Sequence, residues 1–281
     1  MDNILKGFEQ VPANYQILME LTCLLQDGDV DFSRVQSLIS MDAGLAAAVI
    51  RLSNGAYFGC ATPVTTLDDA IGRIGFSEIL KLVGLVSSRL FEDHPLTCYG
   101  ETAEDMMQKC LAAAIFMEFL SYDVNIVSGR AYLIGLLHAI GQYPIARIMH
   151  RLKPFAIKAE GIDFAAQAKW ERGEVGVDYA KVGAELLKNW GFSSDVYRPI
   201  QSQLMPLLIS GDKREACMLH VTCRILPCLL YPNQFSFSDI HIPEAILRTA
   251  GLTTEMVEGY IGPSISWIQT TTKLVQKEIS A

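Results

Sequence analysis

Apolar residues recur along this chain with the period of a helix. In "NYQILMELTCLLQ", residues Asn14 to Gln26, the side chains of Ile17, Leu18, Leu21, Leu24 and Leu25 fall on one stripe at i, i+3, i+4 and i+7. Val35, Leu38 and Ile39 form the next stripe, with Asp31 and Ser33 as candidate N-caps. "DAGLAAAVIRLSN" opens on Asp42, a good N-cap, and Asn54-Gly55 is a good stop. "TTLDDAIGRIG" opens on Thr66 as a cap; Gly75 ends that segment before Ser77 restarts it. The same period predicts helices over residues 77–91, 103–121, 129–139, 143–158, 163–172, 179–190, 194–209, 213–230 and 264–279.

Alternating β-branched runs joined by Asn-Gly turns do not occur, so the expected fold class is all-α, a bundle of many helices. The best boundary is "PLLISGDK", residues 206 to 213, and a second loop-like stretch runs from Tyr231 to Pro243. This predicts a domain over 1–205 and a helical extension over 206–281 packed on that core.

Composition narrows the function classes. Half of the 281 residues are hydrophobic and 19% are charged, enough for a sizeable core. The formal net charge of -8 argues against a broad basic surface, so no nucleic-acid partner is expected. No apolar run reaches the roughly 18 residues of a membrane span, so no membrane insertion is expected. "MDNILKGFEQ" carries no export signal, and the seven scattered cysteines read as reduced core thiols, which together predict a cytoplasmic protein.

Catalytic motifs are few. A P-loop, a strand–GxGxxG–helix unit and a GxSxG elbow are all absent. "DGDVD", Asp27 to Asp31, starts like a calcium loop, but Phe32 and Leu38 stand where Gly and Glu are required, so it reads as a capping turn. "CMLHVTC" puts Cys217, His220 and Cys223 on one broad helical face, which leaves two readings: a soft-metal site, or thiols buried in a helix interface. In "ARIMHRLKPFAIK", Arg147 and Arg151 are four apart and share a face; they are either phosphate contacts or a solvated basic face.

Four segments together resemble the motifs of the HDOD family, the HD-related output domains. In "MDAGLAAAVIRLSNGAYFG", Asp42, Leu45, Val49, Ile50, Arg51, Asn54 and Ala56 fall on the pattern D-P-x-L-x-x-x-L-L-R-x-x-N-S-A, with Ala43 for Pro and Gly55 for Ser. "TTLDDAIGRIGFSEILKLV" is similar to S-L-x-x-A-I-x-x-L-G. "AYLIGLLHAIGQ" is similar to A-G-L-L-H-D-I-G and contains Gly141. "VGVDYAKVGAELLKNWGFS" is similar to H-x-x-V-G-A-x-L-L-x-x-W-x-L-P and contains Gly183 and Trp190. The resemblance spans about residues 10 to 205. It implies an all-helical fold related to HD metal-dependent phosphohydrolases, and an output or scaffold role in bacterial signalling.

HD phosphohydrolases hold divalent metals with a histidine–aspartate pair and further His and Asp ligands, which activate water and offset phosphoryl charge. Along the resemblance, His138 keeps the first half of the pair, but Ala139 replaces the aspartate. Lys109 and Tyr179 stand where family histidines stand, and Ser202 and Gln203 fall where a histidine pair ends the domain. A lone imidazole does not retain a catalytic metal. His138 is therefore expected to be a core histidine bonded to a backbone or side-chain acceptor, with no cofactor and no catalysis.

The expected function is a regulatory module acting on a protein partner, as a monomer or a homo-oligomer. The rivals are a metal-dependent phosphohydrolase with an unrecognised ligand set, and a nucleotide or phosphate sensor using Lys109, Arg147 and Arg151. Beside the resemblance, the residues around Asp42 have architectural tasks: Asp42 caps, Leu45 packs, Arg51 suits the helix C-terminus, and Asn54 bonds backbone beyond the helix end.

Overall fold

A computed structural model of the protein describes residues 1–6, 8, 13–24, 32–54, 64–88, 96–158 and 163–279. Every regular element among them is helical. In chain order the helices are α1 (Asp2–Leu5), α2 (Ala13–Leu24), α3 (Phe32–Ser40), α4 (Ala43–Ser53), α5 (Leu67–Ser88), α6 (Ala103–Ser121), α7 (Ser128–Leu137), α8 (Gln142–Leu152), α9 (Phe164–Val175), α10 (Tyr179–Asn189), α11 (Ser194–Ser202), α12 (Arg214–Leu230), α13 (Glu244–Ala250) and α14 (Thr254–Ile279). They group into two compact units. One comprises Met1–Gln10 and Phe91–Ile265, and the other Val11–Leu90 and Ser266–Ala281.

In the smaller unit α2, α3 and α4 pack on α5. Leu18, Leu21, Val35, Ile39, Leu45, Val49, Ile79 and Leu80 are buried there, the apolar positions of the helical stripes. Asp42 caps α4: its Oδ1 accepts the Leu45 N–H at 2.9 Å. Thr66 caps α5 through the Asp69 N–H at 3.2 Å. Ser33 lies one residue inside α3 and is not its cap; Asp31, Gly55 and the calcium-loop-like turn fall outside the described residues. Gly75 interrupts α5 with φ of +78°, the left-handed region that glycine enters without strain.

Asn54 carries out the task its position suggests. Its amide donates to Ile50 O at 3.1 Å and to Val64 O at 2.7 Å, and its Oδ1 accepts the Val64 N–H at 2.6 Å. One side chain thus closes the end of α4 and fastens the strand of chain entering α5.

The larger unit is built on α6, whose residues from Cys110 to Ser121 are almost all buried. α7 lies against α6, and α12 packs on α6, α7 and α11. Residues 206–265 belong to this unit. Close approaches need glycine. A Cβ at Gly135 would stand 2.5 Å from Ala113 O. A Cβ at Gly141 would run into Tyr179 O and Gly183 N, so the turn before α8 meets α10 backbone to backbone. Trp190, following α10, donates Nε1–H to Phe8 O at 3.0 Å.

Helix ends depart from the periodicity at prolines. The 143–158 segment stops at Leu152, because Lys153 precedes Pro154 and leaves the helical region (φ −141°, ψ 61°). The 194–209 segment stops at Ser202; three residues on, Met205 precedes Pro206 with φ −141° and ψ 63°, which bars the helix from resuming, and a 3-10 turn follows at Pro206–Leu208. The last helix starts at Thr254, ten residues ahead of the start predicted at 264, and carries Gly259, Gly262 and Pro263 inside it. The seven-residue α13 is too short for its period to register in the sequence.

Candidate functional site

His138 follows the last residue of α7 and is 3% exposed; Ala139 is wholly buried. The imidazole Nδ1–H donates to Gly135 O at 2.7 Å, one helical turn back, which leaves the Nε2 lone pair unprotonated. Burial pushes the imidazole down to about 4; the bond to Gly135 opposes this, and the Lys109 ammonium adds to it. His138 is a neutral core side chain at physiological pH.

Gln203 gathers the other predicted positions. Its Nε2 donates to His138 O and to Ile200 O, both at 2.9 Å, and its Oε1 accepts from the Tyr179 hydroxyl at 3.3 Å. The fold therefore does bring His138, Tyr179 and Gln203 together. What they form is an amide clasp. Ser202, half-buried beside Gln203, ends α11.

Lys109 stands on α6. Its ammonium meets Glu101 Oε2 at 2.6 Å and Gln142 Oε1 at 3.4 Å. Glu101 Oε1 accepts a second cation, Lys158, at 3.1 Å. Burial pushes the Glu101 carboxyl up, but the two ammoniums outweigh it and hold it below its ordinary value. From Lys158 the chain of contacts continues to Gln167 at 3.4 Å and from there to Glu171 at 3.1 Å. Glu171 is fully buried and also accepts from the Tyr99 hydroxyl at 2.9 Å and the Tyr179 N–H at 2.6 Å. Burial drives its carboxyl up to about 7 against those three donors, with Asp178 adding to the rise.

Periodicity could not find Glu101, Gln142, Gln167 or Glu171. Gln142, Gln167 and Glu171 are polar residues on buried faces, and a sequence shows polarity without showing its partner.

These residues do not fit a divalent metal. The Lys109 ammonium is held by Glu101, the Tyr179 phenol bonds the Gln203 amide, and Ala139 offers only a methyl group beside His138, so this set supplies a single imidazole and no free carboxylate. Among the described residues, no three His, Cys, Asp or Glu side chains converge as a metal site. The helix with Cys217, His220 and Cys223 fits no better. His220 Nδ1–H donates to Gln203 O at 2.7 Å and its Nε2 accepts from Arg224 at 3.2 Å, so both ring nitrogens are engaged. Burial pushes the Cys217 thiol up to about 11 and Cys223 to about 12, so both are protonated thiols of the helix interface.

Arg147 and Arg151 lie elsewhere in the same unit. They line a groove between α1 and α8 with Asn3, Ile4, Lys6, Ile148 and His150; Lys109 is not among its residues. Arg51 is exposed in the last turn of α4, where its charge suits the helix end. No helix of the described residues is long and apolar enough to cross a membrane.

Fold and site together define an all-helical protein in which His138, Tyr179 and Gln203 form a hydrogen-bonded clasp and Lys109 pairs with Glu101. The HDOD domain profile matches residues 11–206, and the chain belongs to the HDOD family. A Treponema pallidum protein of unassigned function is 22% identical over 203 residues; the match covers 71% of this chain and 38% of that relative's length. Among solved structures, a protein from Shewanella amazonensis provisionally named a phosphohydrolase superposes with a TM-score of 0.68 at 22% identity, over 98% of this chain and 97% of that one. A provisionally named signal transduction protein from Marinobacter aquaeolei gives 0.68 at 19% identity, over 97% of this chain and 61% of that one. At these identities the likeness is one of fold.

Proposed function

We propose that this chain is a non-catalytic regulatory HDOD module, which acts in bacterial signal transduction by engaging a protein partner in the cytoplasm. One observation supports the reading: Lys109, which the resemblance puts at a metal-ligand position, is an ammonium held on Glu101, and Ala139 beside His138 carries no carboxylate. A fixed positive charge repels a divalent ion, and the remaining imidazole is neutral, buried and bonded to its own helix. The signal transduction name of the Marinobacter neighbour supports the same direction. The phosphohydrolase name of the Shewanella neighbour offers the rival activity.

The two separate by experiment. The purified chain is assayed for hydrolysis of bis(p-nitrophenyl) phosphate with Mn²⁺ or Fe²⁺ and analysed for bound metal. Turnover that disappears in His138→Ala, with about one metal per chain, would overturn the regulatory reading. Background rates in both proteins, together with a specific partner cross-linked in the native cell, would support it.

A further inference from the structure

The groove between α1 and α8 gathers Lys6, Arg147, His150 and Arg151 on one surface of the larger unit. α8 is strongly amphipathic: Ile145, Ala146, Ile148 and Met149 are buried, while Arg147, His150 and Arg151 face out at i, i+3 and i+4. α1 faces them and brings Lys6 to the same groove. Among the described residues that line it, none is acidic. Several other cations of this unit have found carboxylates. Lys109 and Lys158 share Glu101, Arg130 takes Glu215, Lys153 takes Glu174, and Arg172 takes Asp178. Among the described ion pairs, none involves Lys6, Arg147 or Arg151, although the chain carries a net charge of -8 and acids are abundant. Like charges packed together without counter-ions cost stability, so a surface that holds them is organised for an anion supplied from outside.

Arg147 is also positioned in advance. Its guanidinium lies over the Phe8 ring, 5.4 Å from the centroid, and the Phe8 backbone is tied to Trp190. The groove encloses about 490 Å³, a small-molecule volume, over an apolar floor of Ile4 and Ile148. Two guanidiniums on one face suit the paired oxygens of a phosphate, and the floor suits an uncharged ring or chain attached to it.

We infer that the groove of Lys6, Arg147, His150 and Arg151 binds a small phosphate-bearing molecule with an apolar or planar body. Leu152, the last residue of α8, and Phe155 just beyond it are 63% and 94% exposed and make an anionic membrane the competing occupant. A concave site over an apolar floor fits an inserted molecule better than a flat bilayer. The inference stands apart from the regulatory reading, because it uses none of the residues around His138; either can fail without the other.

The test is calorimetric titration of the full chain with ATP and with inorganic pyrophosphate, for the parent, Arg147→Ala/Arg151→Ala and Lys6→Ala. All three side chains are exposed, so matched melting curves will show that the variants fold. Saturable ATP binding, tighter than pyrophosphate, weakened about tenfold or more by the double substitution and by added salt, is the expected result. Unchanged affinity in the double variant, no saturation at millimolar ATP, or pyrophosphate binding as tightly as ATP would overturn the assignment. So would binding confined to phosphatidylserine vesicles in co-sedimentation, which would give the surface to a membrane.

Discussion

The ammonium of Lys109 and the carboxylate of Glu101 lie 2.6 Å apart, and Lys158 closes on the same carboxylate from the other side at 3.1 Å. Both members of the closer pair are largely buried, at 16% and 19% side-chain exposure. Removing one partner leaves the other short of charge compensation in a poorly solvated place. Lys109→Met is expected to lower stability by about 1–3 kcal/mol at pH 7, with much of the loss recovered in Glu101→Gln/Lys109→Met. Urea midpoints of the four proteins of this cycle measure it. Additive losses would show that the pair is not coupled.

Ala139→Asp restores the sequence of the metal-binding pair and is expected to restore nothing else. The introduced carboxylate would join a neutral imidazole whose Nδ1 is committed to Gly135, with no second imidazole at Lys109, Tyr179 or Gln203. Position 139 is wholly buried, so the new acid's pKa should rise above its unfolded value. Its penalty is absent at low pH and grows as pH rises past the unfolded carboxyl value near 4, reaching a few kcal/mol at neutrality. Titration with Mn²⁺ checks the binding; micromolar affinity in the single variant would reveal a ligand set that geometry does not show.

Asn54→Leu removes three hydrogen bonds to backbone groups of Ile50 and Val64. A loss of about 1–3 kcal/mol is expected, since the Val64 amide and carbonyl are left without that partner. Asn54→Asp should be intermediate in design but similar in cost: it keeps an acceptor for Val64 N–H and loses the donor for both carbonyls. Chemical denaturation of both variants tests this, and midpoints equal to the parent's would assign Asn54 some task other than fastening α4 to α5.

Two buried titrating groups oppose each other in acid. His138 is pushed down from 6.5 to about 4, so the unfolded chain takes up its proton first and stability is lost as pH falls from 6.5 towards 4, by on the order of 3 kcal/mol. Glu171 is pushed up from 4.5 to about 7, so the unfolded chain releases its proton first and stability is lost as pH rises from 4.5 towards 7. Between 4.5 and 6.5 the two slopes cancel in part. Compared with the parent, His138→Gln is expected to gain stability on acidification through that window, and Glu171→Gln to lose it more steeply. Curves of unfolding free energy against pH that run parallel in all three proteins would exclude both shifts.

The helical period found the elements whose apolar faces are regular. Leu18 and Leu21, or Val35 and Ile39, announce their burial by spacing, because a helix must cover such a stripe. Where helices stop was harder to read. Lys153 and Met205 leave the helical region because a proline follows each of them, a local signal that a search for period passes over. At the site, the sequence showed which residues stand at His138, Ala139 and Lys109, but not what holds them. Those contacts were hidden, since the links from Lys109 through Glu101 and Lys158 to Glu171 join residues up to 57 positions apart. Lys6 lay equally out of reach, because only the packing of α1 on α8 brings it to Arg147 and Arg151.

The contact of Gly141 with Gly183 leaves no side chain between the two segments that cross there. Side chains can change rotamer and let one helix slide over another; two backbones in contact have no such layer to rearrange. The start of α8 is in effect welded to α10. The start of α8 therefore cannot shift against α10 without the two backbones parting, which keeps Gly141 in register with Tyr179, the residue whose hydroxyl bonds Gln203.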